Sequence, residues 1–284
     1  MPNLTAIATQ AERALLATFR ETIQSVKDQA VIQEIVRLLE VGNVDGVIDL
    51  LQLDQATFEP IEEQIRTAYR TGGITGAEQI GTIPTSTGTL VMRFNMRAPA
   101  AEAWLASLSS RLITEVFDEQ KKMVRERLTD ALSRGVNPRQ SALDLVGRVD
   151  RQTQKRTGGF IGLTKYQAGW VRNSQMDLEL IGASQEEIEA AFARANRKLP
   201  EDYDPASSYL SRTLRDKRFD GAVKKAAKNS SRLNQKQIGA AVSRYQDSAL
   251  RYRGRMIART ESINALRAGP VSYTHLTLPT KRIV

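Results

Sequence analysis

Residues 234–269, NQKQIGAAVSRYQDSALRYRGRMIARTESINALRAG, decide the fold. Asn234 can cap a helix with Gln237 as its reciprocal partner, and Leu233 and Ile238 stand where a hydrophobic staple closes the first turn. From Ile238, the residues Val242, Tyr245, Ala249, Tyr252, Met256, Arg259, Ile263 and Leu266 follow at steps of four and three. That spacing predicts one long helix with a single packing seam. Arg259 is its only member that is neither apolar nor aromatic. A guanidinium in a packed seam needs a carboxylate or backbone carbonyls to offset its desolvation. The reading therefore sets a carboxylate from another helix against it, with Asp150, Asp177 and Asp220 as candidates.

Outward from this helix, the chain reads as mainly α, a multi-helix assembly with long helices and at most a small β element near residues 89–97. Residues 1–71 form an N-terminal helical region. Asn3 is its first cap, Leu16, Phe19, Ile23, Val26 and Ala30 make one stripe, and Gly42 is the break. A short helix through Val44, Val47, Ile48 and Leu51 follows, then a third after Asp54 with Pro60 tolerated in its first turn. Residues 72–99 read as a loop or arm, because Gly72 to Gly88 lack any apolar period, with alternation from Thr89 to Arg97 as a short strand. Pro99 opens a long helix over about 100–133, with Leu105, Leu108, Leu112, Val116, Val124, Leu128 and Leu132 near one face and Gly135 ending it. Asn137-Pro138 begins a helix carrying Ala142, Leu145, Val146 and Val149. Thr164 with Gln167, and Ser184 with Glu187, are capping boxes. Tyr203-Asp204-Pro205 is a linker candidate, and Trp104 and Trp170 are expected in the core.

The chain of 284 residues contains no cysteine and one histidine, His275. That composition removes disulfides, thiolate and imidazole metal sites, cysteine nucleophiles and histidine-based triads. No spacing announces carboxylate catalysis, a lysine nucleophile or a cofactor, so no enzyme activity, cofactor or metal is expected. No apolar run is long enough to span a bilayer, and the N-terminus lacks a secretion core.

Two ordered blocks carry a resemblance. Arg156-Thr157-Gly158-Gly159-Phe160-Ile161-Gly162-Leu163-Thr164 with Gln167, and Ile257-Ala258-Arg259-Thr260-Glu261 with Asn264, Ala265 and Gly269, resemble the Gly-rich turn and the closing signature of phage head morphogenesis proteins, the Mu F-like minor head protein family. The resemblance covers roughly residues 100–269. It implies a head morphogenesis-like helical domain there and a role as a minor capsid protein near the portal of a tailed phage or prophage. It further implies partners among the portal, major capsid and scaffold proteins, effects on genome packaging or delivery, and a place in the virion after assembly in the bacterial host cytoplasm. Residues 270–284, PVSYTHLTLPTKRIV, abandon helix formers. They resemble a translated transposon-end adaptor, so the family domain is expected to be truncated at its C-terminus and followed by a non-native tail.

The net charge of +9 is unevenly spread. Up to Asp204 acids slightly outnumber bases. From Pro205 to Gly269 bases dominate through Arg212, Arg215, Lys217, Arg218, Lys224, Lys225, Lys228, Arg232, Lys236, Arg244, Arg251, Arg253 and Arg255. Such a face could follow the phosphates of packaged double-stranded DNA without reading sequence, meet an acidic protein surface, or simply be solvated. A non-sequence-specific DNA-binding module is therefore the alternative function. Gly158-Gly159-x-x-Gly162 also invites comparison with a phosphate-cradling loop, but no Walker lysine follows it and no dinucleotide strand precedes it. Glu261 as a catalytic carboxylate beside Arg259 is disfavoured because residues two apart diverge on a helix.

Overall fold

A computed structural model describes residues 4–85, 88–91 and 93–274. Asn3, Met92, the side chains of Leu90 and Leu112, and residues 275–284 of the expected adaptor tail, His275 among them, lie outside the described residues. The protein is mainly α, with 74% of the described residues helical and 4% in strands. Helix α1 spans Leu4–Gln29, α2 Ile32–Glu40, α3 Val44–Leu50 and α4 Gln55–Ile80. Strands β1 (Thr82–Thr85) and β2 (Gly88–Val91) form an antiparallel hairpin before α5 (Pro99–Ser133) and α6 (Pro138–Val146). A second hairpin, β3 (Arg148–Val149) with β4 (Arg156–Thr157), leads to α7 (Lys165–Leu180), α8 (Gln185–Arg194) and α9 (Pro205–Ser211). A 3-10 turn (Lys217–Phe219), α10 (Asp220–Lys228) and α11 (Gln235–Thr274) complete the chain.

Two compact units share these elements: Met1–Ser25, Gln52–Asp118 and Arg253–Val284 make one, and Val26–Leu51 with Glu119–Tyr252 the other. Helices α1, α5 and α11 each contribute residues to both. In the first unit Leu15, Phe19, Ile23, Phe58, Ile65 and Tyr69 are buried, with Trp104 stacked on Tyr69 at 4.6 Å between ring centroids. In the second, Leu178, Ile181, Tyr209, Val223, Leu233, Ile238 and Ala241 form one cluster, and Leu180, Ile188 and Phe192 a smaller one.

Side chains cap the helix starts expected at Asn137, Thr164, Ser184 and Asn234, and other starts as well. The Asn43, Asp54, Asn137 and Asp204 side chains each accept from a backbone amide in the first turn of a helix. Thr164–Gln167 and Ser184–Glu187 are complete capping boxes. Asn234 and Gln237 exchange the expected reciprocal bonds at 2.8 and 3.1 Å. Tyr203-Asp204-Pro205 is thus a helix start inside the second unit and not a linker.

Several expectations fail for identifiable reasons. The first helix ends at Gln29, well before Gly42, because Val31 is extended (φ −88°, ψ 103°). Pro60 falls in the second turn of α4, which passes through it. Residues 72–80 are not a loop: α4 runs on to Ile80 through Gly72, Gly73 and Gly76, glycines that the helix needs for close approach. A Cβ on Gly76 would lie 2.7 Å from Cγ of Pro270, and one on Gly72 would lie 2.7 Å from Cα of Leu266. The predicted strand over 89–97 stops at Val91, and Phe94 instead packs its ring on Tyr69. Val149 is not on a helix but in β3, exposed, because Gly147 (φ +87°) ends α6. The break expected after Gly269 is absent, since α11 continues through Pro270 to Thr274.

Candidate functional site

The Gly-rich turn is built around left-handed glycines, Gly158 at φ +72°, Gly159 at +84° and Gly162 at +92°. L-residues are disfavoured in that region, and space reinforces the point. A Cβ on Gly159 would stand 2.6 Å from the amide nitrogen of Gly147. Four side chains hold the turn, three of them buried and Asp247 half-buried. The Gly158 amide donates to Asp247 Oδ1 (2.8 Å), that of Gly159 to Gln246 Oε1 (2.9 Å) and that of Gly162 to Gln120 Oε1 (2.7 Å). Gln120 Nε2 donates to the Leu163 carbonyl at 2.9 Å, and Lys27 Nζ to the Gly158 carbonyl at 2.7 Å. The Arg127 guanidinium lies 4.1 Å over the Phe160 ring, Leu163 is fully buried, and Thr164 and Gln167 cap the following helix.

This arrangement decides the phosphate-loop reading against itself. A phosphate cradle needs unpaired backbone N–H groups aimed at the ligand, and here all three glycine amides already serve side-chain oxygens of the same chain. The turn is a pinned junction of α1, α5 and α11.

Lys27, 2% exposed, is the costly member. Burial pushes its pKa down to about 8, with Asp247 and Asp28 pulling it back up. Between about pH 8 and 10.5 the unfolded chain therefore binds more protons at this residue than the folded one, so the penalty for burying the ammonium fades and stability rises with pH. The effect is on the order of 3 kcal/mol. Urea unfolding at about pH 7.5 and about pH 10 should show the stability difference between the protein and its Lys27→Met variant shifting in favour of the parent as pH rises. A pH-independent difference would refute this account.

The second block departs from the predicted seam. Arg259 is exposed, as are Tyr252 (40%) and Met256 (50%), while Ala249, Gly254, Ala258, Ser262, Ala265 and Gly269 are buried. The buried face of α11 thus shifts onto small residues, and close backbone approach replaces large apolar knobs. No described carboxylate pairs with Arg259. Each candidate is engaged elsewhere: Asp150 accepts from the Gln152 and Thr153 amides, Asp177 pairs with Arg212 at 2.6 Å, and Asp220 with Arg215 at 3.0 Å. The buried guanidinium of this helix is Arg253, 5% exposed. Of the other signature residues, Ile257 is half-buried, Thr260 exposed and Glu261 half-buried. Oε2 of Glu261 is buried without a hydrogen-bond partner, and burial pushes its carboxyl up, with Arg111 opposing and Glu115 adding to the shift.

The basic residues do not form one free face. Arg218 pairs with Asp216 at 2.5 Å and Arg232 with Glu187 at 2.5 Å, which adds to the pairing of Arg212 and Arg215. Lys217, Lys224, Lys225, Lys228, Lys236, Arg244, Arg251 and Arg255 are exposed. Trp170 is not core: it is 38% exposed and meets Tyr252 edge-on at 6.3 Å. The Asp177 carboxyl, 1% exposed, also accepts from the Tyr203 hydroxyl at 2.8 Å. Among the described residues no acidic or histidine cluster is placed to hold a metal ion, and no helix is long and apolar enough to cross a membrane.

Sequence reading missed Lys27, Gln120 and Gln246, although a signal existed. Gln120 stands four residues from Val116 and four from Val124 on the buried face of α5, and Lys27 stands four from Ile23. The rule that a polar residue in an apolar seam must be paired, misapplied to Arg259, holds at these positions. No protein-family model, curated protein or solved structure matches the chain.

Proposed function

We propose that the chain is a minor head protein of a tailed phage or prophage, acting in head morphogenesis near the portal and influencing genome packaging or delivery. One observation supports the reading beyond the resemblance itself. The Gly-rich block is hydrogen-bonded through Gly158 and Gly159 to Asp247 and Gln246 of α11, the same helix that carries the Ile257–Glu261 block. Within the second unit the Gly-rich block and the Gln246–Asp247 stretch of α11 are thus one hydrogen-bonded device, and the second signature follows ten residues further along that helix. The role is structural, with the portal, major capsid or scaffold protein as partner and the virion as destination. The test is co-expression with the portal protein encoded in the same genome. Co-elution at low salt is expected, and its absence would overturn the assignment.

A second reading, a non-sequence-specific DNA-binding module, draws on α10. Val223 and Ala226 are buried there, while Lys224, Lys225 and Lys228 face solvent with no carboxylate within ion-pair distance among the described residues. Duplex affinity that falls steeply with salt would favour it.

A further inference from the structure

The charge that is free in the second unit is not confined to residues 205–269. The β3–β4 hairpin reads RVDRQTQKR over residues 148–156, and its loop is tied in one conformation. Asp150 accepts from the Gln152 amide, and from both the amide and the hydroxyl of Thr153. Its own amide donates to the Lys155 carbonyl at 2.9 Å, and the Gln154 amide to the Asp150 carbonyl at 2.8 Å. Arg151 and Lys155 are left exposed at the tip, with no ion pair among the described residues.

The base of the hairpin is fixed to α11 immediately beside Arg244. A Cβ on Gly158 would meet Ser243 Oγ at 2.6 Å, and the Gly158 amide is held by Asp247. Arg244 is exposed and within electrostatic reach of two turns from different parts of the chain. The Asp150 carboxyl is held down first by the Thr153 amide and also by Arg244. That of Asp216, which caps the 3-10 turn, is held down first by Arg218 and also by Arg244. Both carboxylates are already spent on turn geometry. The hairpin tip and Arg244 therefore present cations from two elements joined at Gly158, and Lys217 stands exposed on a third, next to the Asp216 that Arg244 reaches.

We infer that the β3–β4 hairpin tip, Arg244 and Lys217 form one composite cationic surface that binds the phosphodiester backbone of duplex DNA. This rests on the DNA-binding reading and adds to it a site that linear charge density does not reveal. The occupant follows from what surrounds the charges. A protein partner would be expected to find an apolar or aromatic anchor, and Val149 is the one large apolar side chain exposed on the hairpin and the 3-10 turn. Single-stranded nucleic acid would call for aromatic stacking platforms. Of the exposed aromatics, Tyr166 and Trp170 lie on α7 and Tyr252 lies on α11 eight residues beyond Arg244, none of them on the hairpin or the 3-10 turn. A polar, positively charged surface with amide-bearing Gln152 and Gln154 suits a backbone read without its bases.

The test is fluorescence anisotropy of a duplex of about 30 base pairs and arbitrary sequence with the full chain, titrated across salt concentrations. The variants are Arg151→Gln/Lys155→Gln, Arg244→Gln, and, for comparison, Lys224→Gln/Lys225→Gln/Lys228→Gln, each checked for native circular dichroism. The hairpin double variant is expected to bind roughly tenfold more weakly at low salt and to lower the magnitude of the log K against log salt slope by about 2. Arg244→Gln should lower it by about 1. Duplex binding that only the α10 triple variant weakens would overturn the composite surface and leave the DNA-binding reading standing. No duplex binding at any salt would remove both, without bearing on portal association. Equal or tighter binding of the single strand, or competition by poly-glutamate as effective as that by duplex, would also overturn it.

Discussion

Gly72→Val is expected to lower the unfolding free energy by roughly 3 kcal/mol or more, even though valine is a better helix former than glycine. The added Cβ would point at backbone, 2.7 Å from Cα of Leu266, and backbone cannot swing aside as a flexible side chain can. The same argument covers Gly269, whose Cβ would lie 2.6 Å from the Tyr69 carbonyl oxygen and 2.9 Å from Cα of Gly73. Gly221 and Gly239 provide the control. Both are helical, with open space where an added methyl would sit, so Gly→Ala there should stabilise by about 0.5–1 kcal/mol. Urea midpoints of single variants at these positions separate the two cases. If Gly72→Val were as benign as Gly239→Ala, the close approach of α4 and α11 would not be a determinant of stability.

The second large effect belongs to Asp177. Its carboxylate, buried in the second unit, accepts from Tyr203 and from Arg212, whose side chain is itself 20% exposed. Burial raises the Asp177 carboxyl, and Arg212 with the Tyr203 hydroxyl works against that shift. Asp177→Ala would leave a half-buried guanidinium and phenol without their buried acceptor, with an expected loss of roughly 3 kcal/mol, the low end for a broken buried pair because Arg212 keeps partial access to solvent. Asp177→Leu combined with Arg212→Met should recover most of it, because removing both charges also removes their desolvation. A double variant no more stable than Asp177→Ala would show that the pair does more than neutralise itself. The Tyr203 hydroxyl, whose ionisation is pushed upward first by burial and then by Asp177, offers a spectroscopic check. Its ultraviolet titration should move back toward the ordinary tyrosine range when Asp177 is removed.

Much of the element order was legible because helix starts are local. Asn137-Pro138, Thr164 with Gln167, Ser184 with Glu187 and Asn234 with Gln237 satisfy first-turn amides using residues within three positions, so the signal travels with the sequence. Helix interiors were less legible. Gly72, Gly73 and Gly76 look like loop residues until the facing backbone of Leu266, Gly269 and Pro270 is known, and only then does their lack of a side chain explain itself. The α11 seam was misread for the same reason. Periodicity weighs large apolar residues, whereas the buried line through Gly254, Ala258, Ser262, Ala265 and Gly269 is made of small ones.

The Gly158–Gly162 turn could be picked out by composition, but its use could not. Lys27, Gln120, Gln246 and Asp247 come from three helices far apart in the chain, and only their convergence shows that the glycine amides are taken. The cationic hairpin is similar: Arg151 and Lys155 belong to an unremarkable polar stretch until the fold fixes the base of their hairpin to α11 next to Arg244.

The sequence by itself determined the mainly helical class, the long terminal helix and the caps that start most of the helices, because these follow from side chains acting on backbone within a turn or two. Tertiary structure alone decided which face of each helix is buried, which carboxylate meets which guanidinium, and which cations remain free. Those outcomes depend on distances between residues that covalent order does not fix, and on a desolvation cost that arises only once another element closes over the group.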